Sequence, residues 1–200
     1  MKIFYVVLSI LLIPFSQGLS QQLKLSIDIG GSTSAKPYSY KEFFALITER
    51  GQYVAGTTLS YPVFGKGFGL FLETTNKTMN ERDISFRCSN YVSGLCWRYG
   101  GTAFQLELAS GFGYAWEKYK LNDSQYGIFL ISNALSVFHE GITFYFPVGS
   151  VVNIVFAGRL TINNKSHAVA NFYLGDDNLY IPPVLYSGMI GAGFNIFGEE

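Results

Sequence analysis

The chain has 200 residues, of which 48% are hydrophobic, 17% aromatic and only 14% charged, against about 25% charged in an ordinary soluble domain. Too little charge remains to coat a water-facing surface. Its 14 basic and 14 acidic residues cancel, so the electropositive footprint of a nucleic-acid binder is missing and nucleic acid is excluded as a partner.

The amino terminus has the composition of an export signal. Lys2 supplies a minimal positive region, residues 3–13 are almost continuously apolar, and Gly18 and Ser20 place small residues at −3 and −1 of a cut before Gln21. Residues 1–20 are therefore expected to be a cleaved signal peptide, and residues 21–200 the mature domain. The apolar run stops at Pro14, short of the roughly 20 residues a spanning helix needs. Gly, Asn, Pro or charged residues interrupt every later candidate, so any membrane crossing must use strands.

From Gln21 onward the dominant pattern has period two. Leu23, Leu25, Ile27 and Ile29 alternate with Lys24, Ser26, Asp28 and Gly30, which predicts a first strand over residues 23–31. Residues 36–51 stay unassigned, because the short apolar run Phe43 to Ile47 fits a helix or an extra strand equally. Residues 52–61 and 67–73 predict a hairpin around Phe64-Gly65-Lys66. A polar stretch over residues 74–90 reads as a loop, followed by an aromatic segment ending Trp97-Arg98-Tyr99 and a Gly100-Gly101 turn. The next strand, residues 102–116, sets Phe104, Leu106, Leu108, Phe112, Tyr114 and Trp116 against Gln105, Glu107, Ala109, Gly111 and Gly113.

The second half continues the rhythm. Residues 117–125 read as a loop, and strands are expected over 126–138, 142–148, 151–162, 167–174 and 184–197. Turns fall at His139-Glu140-Gly141, Gly149-Ser150 and Asn163 to Ser166, and Asp176, Asp177, Pro182 and Pro183 mark a loop. Pro147 lacks a ladder donor and belongs at a strand end. With both termini on one side, residues 74–90, 117–125 and 175–183 all fall on the other, and the Gly149-Ser150 turn joins them.

Strands that are apolar on one face and polar on the other, behind an export signal, predict a closed antiparallel transmembrane β-barrel of eight to ten strands, lipid outside and a small polar interior. That assignment sends Lys24, Asp28, Glu73, Gln105, Glu107, Asn153, Arg159, Asn171 and Asn195 inward. The reverse would place charges against hydrocarbon at about 2–4 kcal/mol for each midplane Arg or Lys. A soluble β-sandwich, with the apolar face as its core, is the rival architecture. Three glycosylation sequons, at Asn76, Asn122 and Asn164, keep alive a secreted sandwich that binds carbohydrate or protein.

Cys88 and Cys96 are the only cysteines, and an oxidising compartment predicts that they pair. A straight strand would hold them about 26 Å apart at about 3.3 Å per residue, beyond the roughly 7 Å limit between bridged Cα atoms. The disulfide therefore predicts a turn at Ser93-Gly94.

The Ser110-Gly111-Phe112-Gly113-Tyr114 stretch and the terminal Gly191-Ala192-Gly193-Phe194-Asn195-Ile196-Phe197 resemble small outer-membrane β-barrel proteins of Gram-negative bacteria. Gly198-Glu199-Glu200 extends beyond the near-terminal aromatic that ends the family's last strand. The resemblance implies passage through the periplasm, insertion by the outer-membrane assembly machinery and residence in outer-membrane lipid. It names no ligand.

Chemistry is thinly represented. Barrel enzymes that remove acyl chains from lipid A carry a serine two residues after their histidine; Ser136, His139 and Glu140 invite the comparison, but Gly141 stands where that serine should be. No zinc spacing, phosphate loop or redox cysteine pair appears, and Asp176-Asp177-Asn178 reads as turn chemistry rather than a calcium site. The expectation is a protein without catalytic residues, metal or cofactor. Its role is then structural, adhesive or ligand-binding through the loops, with a narrow channel or a lipid-modifying enzyme as alternatives.

Overall fold

A computed structural model describes residues 22–34, 52–64, 67–80, 84–123, 127–163 and 184–197. They form a closed antiparallel barrel of eight strands in chain order: β1 (Leu23–Ser34), β2 (Gln52–Tyr61), β3 (Phe68–Asn80), β4 (Ile84–Gly100), β5 (Gln105–Asp123), β6 (Gly127–Pro147), β7 (Val152–Asn163) and β8 (Val184–Phe197). Every strand pairs with its sequence neighbour, and β1 closes on β8 from Leu23↔Phe197 to Ser34↔Leu185. Closure leaves no unpaired edge, which is the condition for strands to cross hydrocarbon.

The outer wall is apolar and exposed. Phe112 is 71% exposed, Ile29 64% and Leu95 62%, so these side chains are not sealed between two stacked sheets and the sandwich is excluded. Aromatic residues collect at two levels. Toward the end that carries Leu23 and Phe197, Phe68, Trp97 and Tyr99 pack in a row, and Phe104 and Phe146 stack at 6.4 Å. Toward the other end, Trp116 meets Tyr91 edge-on at 5.4 Å and Tyr114 at 6.5 Å. Trp116 lies opposite Ser89, and Trp97 is eight residues further along the same strand. At a tilt of about 40° that spacing spans about 20 Å along the barrel axis, close to the roughly 25 Å apolar band flanked by aromatic girdles in such barrels.

Tight turns close the end that carries the termini. Backbone bonds from Phe64 to Phe68, Gly101 to Phe104 and Val148 to Val152 seal the β2–β3, β4–β5 and β6–β7 connections. Gly67 (φ 81°) and Gly100 (φ 132°) take conformations that side-chain-bearing residues rarely adopt. Pro147 is the last residue of β6, where its missing N–H costs no ladder bond.

Four sequence expectations change. His139-Glu140-Gly141 is not a turn: β6 runs through it for 21 residues, paired with β5 on one side and β7 on the other. The predicted strands 126–138 and 142–148 are thus one, and the Gly149-Ser150 turn moves to the end that carries the termini. Residues 74–80 and 84–90, read as loop, extend β3 and β4, and residues 117–123 extend β5. Polar residues on both faces there mark strands rising past the apolar band into water. Finally, β4 continues straight through Ser93-Gly94 and both Cys88 and Cys96 are free thiols, buried and facing inward. Two residues eight positions apart on one extended strand cannot be bridged. Residues 1–20, 36–51 and 167–174, with Asn171, His167 and Asp176 to Asn178, lie outside the described residues.

Candidate functional site

Alternation within each strand points one set of side chains into the barrel, and these interlock in storeys. Nearest the end that carries the termini, Arg98 on β4 donates from Nε and Nη2 to Glu107 Oε2 at 3.1 and 2.8 Å. Its Nη2 also reaches Ser60 Oγ at 2.7 Å, and Nη1 reaches the carbonyl of Gln22 at 2.7 Å. Ser60 donates to the same Glu107 oxygen at 2.7 Å, and Tyr145 OH donates to the other at 3.3 Å. Lys24 Nζ lies 4.4 Å from the centre of the Tyr145 ring, a cation–π contact, and donates to Asn153 Oδ1 at 3.4 Å. Asn153 passes the chain on to Asn195 at 3.2 Å, and Asn195 donates to the carbonyl of Ser150 at 2.8 Å.

One storey further in, Arg159 on β7 donates from Nε to Glu73 Oε2 on β3 at 2.6 Å. Strands β3 and β7 are four places apart in a ring of eight, so this ion pair crosses the full width of the lumen. Thr58 donates to the same Glu73 oxygen at 3.0 Å, His139 Nε2 stands 3.3 Å from the other, and Arg159 Nη1 reaches Thr143 Oγ1 at 2.8 Å. Phe71 fills the space beside His139, with ring centres 6.0 Å apart. A Cβ at Gly94 would run into the backbone of Ser110 and Gly111 and lie 2.9 Å from Phe71 Cε1, so the position requires glycine. Asp28 accepts from Ser26 at 3.0 Å. Toward the other end lie buried Lys77, Cys88, Asn90 and Glu117.

Of the residues predicted to face inward, Lys24, Asp28, Glu73, Glu107, Asn153 and Arg159 are buried in this network, and Gln105 and Asn195 sit half-buried at its lower margin. Sequence reasoning missed Arg98, His139, Lys77, Glu117 and Tyr145, all buried inside. The signal existed for Arg98: with Leu95 and Tyr99 outward, alternation turns Arg98 inward. The catalytic comparison gains nothing from the geometry. His139 points into the barrel, while Ser136 and Glu140 are exposed on the outer face of the same strand, so the three cannot converge on one substrate atom.

At these storeys polar and charged groups from facing walls meet at hydrogen-bond distance, and the large interior side chains Arg98, Lys24, Tyr145 and His139 are buried. Among the described residues no cluster of His, Cys, Asp or Glu has the makings of a metal site. The surface that remains available to a partner is the wall and the rim opposite the termini.

Among solved structures, the fold matches Neisserial surface protein A (TM-score 0.58, 6% identity, 90% of this chain and 100% of that one). It matches a major outer membrane protein from Thermus thermophilus (0.59, 10%, 86% and 98%). It also matches Ail, the attachment invasion locus protein of Yersinia pestis (0.54, 16%, 86% and 98%). No protein-family model matches the sequence, and no curated protein matches it. The chain therefore has the fold of the eight-stranded outer-membrane barrels at identities that carry the fold alone.

Proposed function

We propose that this chain is an outer-membrane β-barrel whose interior is a structural plug and whose work is attachment: holding a ligand or a neighbouring surface through the rim opposite the termini. Residues 1–20 export the chain, the assembly machinery inserts residues 21–200, and the connections at the end opposite the termini, around residues 81–83, 124–126 and 175–183, form the contact surface. The observation that carries the reading is the Glu73–Arg159 pair across the lumen at 2.6 Å, set inside a wall whose outer face is apolar. The pair spans the lumen, which supports a plugged interior over an open channel, and the outer face calls for lipid. An attachment protein among the matched structures supports the form such work takes.

Fractionation of a Gram-negative host expressing the full chain tests the location. The expected result is recovery in the outer membrane, solubility only in detergent, and migration on gels that changes on heating. A soluble, glycosylated product would overturn the reading. Planar bilayers test the plug: the expected conductance is none above background, and steady single-channel steps would revive the narrow channel. Binding of host cells to bacteria carrying the full chain, compared with a variant shortened at residues 81–83, tests the rim.

A further inference from the structure

Among the described residues, three cations cluster on the outer wall. On β4 and β5, Arg87, Lys118 and Lys120 are exposed and point outward, and Arg87 lies directly opposite Lys118 in the ladder. Adjacent strands stand about 4.8 Å apart, and residues two apart on one strand about 7 Å, so the three cations occupy one small patch. No described carboxylate pairs with any of them. Their height is fixed by the aromatic belt. Ser89 faces Trp116 at the level of the upper girdle, and Arg87 and Lys118 are the next outward pair toward the rim, where lipid phosphates lie.

Directly below the patch the wall is indented. Leu59, Leu72, Tyr91, Ser93, Phe112 and Tyr114 line an outward-facing groove of about 490 Å³ on strands β2 to β5. The small side chain of Ser93, between the exposed Leu95 and Tyr91 and opposite Phe112, leaves the hollow between larger neighbours. Tyr91 and Tyr114 form its upper lip, one outward pair below Ser89 and Trp116 and two below Arg87 and Lys118. A basic patch at headgroup height and an apolar groove beneath it, in one register, match the two ends of a single amphiphile.

We infer that this face holds one phosphorylated saccharolipid of the outer leaflet, of the lipid A type, with its phosphates on Arg87, Lys118 and Lys120 and an acyl chain in the groove. The inference rests on the outer-membrane reading above. Arg87 grips a phosphate through its planar fork, and the two lysines add point charges. Three cations so close together call for more than one phosphate, which favours this lipid over a glycerophospholipid with a single phosphodiester.

The test uses the full mature chain in phosphatidylcholine nanodiscs doped with lipid A, phosphatidylglycerol or inorganic phosphate, with lipid retention read by native mass spectrometry. The parent chain is expected to retain one lipid A saturably and neither alternative at equal concentration. The triple variant R87Q/K118Q/K120Q should lose affinity on the order of 100-fold, at about fivefold per cation near an anionic headgroup. S93W fills the groove without touching the cations and should weaken lipid A retention while leaving the attraction for deacylated headgroup unchanged. Equal retention of phosphatidylglycerol, saturation by inorganic phosphate alone, or undiminished lipid A binding by either variant would overturn the site. Heat-modifiable migration in the same nanodiscs reports the barrel separately. Its persistence alongside lost selectivity overturns the site alone, and its absence in the parent chain overturns both readings.

Discussion

The inner and outer faces of the wall are made by the same alternation in the same strands, yet they are held in place by different physics. Outside, Phe112, Leu95 and Ile29 are exposed, and what they require is an apolar solvent; one apolar residue there substitutes for another. Inside, Glu73, Arg98, Glu107 and Arg159 are buried, and each answers to named partners on other strands. Period two decides which face a residue joins, and it is the interior that makes identity matter to the stability of the wall.

Substitutions sharpen that contrast. The largest effect is expected from Arg159→Met alone, which strands the Glu73 carboxylate in the lumen and should cost about 3–5 kcal/mol, as for other broken buried pairs. Urea unfolding of the refolded barrel in vesicles measures it. Adding Glu73→Gln to that variant should recover most of the loss, and a double variant no more stable than the single would break the claim that the pair acts as a unit. Phe112→Arg comes next: an arginine facing hydrocarbon should cost about 2–4 kcal/mol, whereas Phe112→Leu should be nearly neutral by the same assay. An equal cost for both would mean that the outer face, too, is specified by packing. The smallest effect is expected from reductant. A native disulfide contributes about 2–5 kcal/mol, so with Cys88 and Cys96 free, unfolding midpoints with and without reductant should coincide. Thiol labelling should proceed only after unfolding.

How far the sequence can be read follows the same division. The outer face is legible along much of the apolar band, because an apolar surrounding imposes one requirement there and Leu23, Leu106 and Ile154 meet it in plain alternation. Inward placement is legible wherever alternation is clean, as at Lys24, Glu107 and Asn153. His139 misleads because His-Glu-Gly resembles a turn, and the group that keeps it in mid-strand, Glu73 on β3, is 66 positions away. The polar run from Thr74 to Asn90 misleads for a related reason: from the upper aromatic belt onward the outer face carries polar residues as the inner face does, the period-two contrast fades, and strand looks like loop. The paired-cysteine expectation fails because it rests on compartment, which says that thiols could join, while β4 decides that these two never meet.

The Glu73–Arg159 contact joins residues 86 positions apart, on strands that are brought together only once nearly the whole sheet has curled round. Any half-closed sheet in the bilayer therefore holds two opposite charges without each other, in a medium that penalises both. Such a tie is a late contact in the sense that separates slow topologies from fast ones, and it turns membrane insertion into an all-or-nothing event. Partly wound intermediates stay poor in free energy until the last seam, β1 against β8, zips shut.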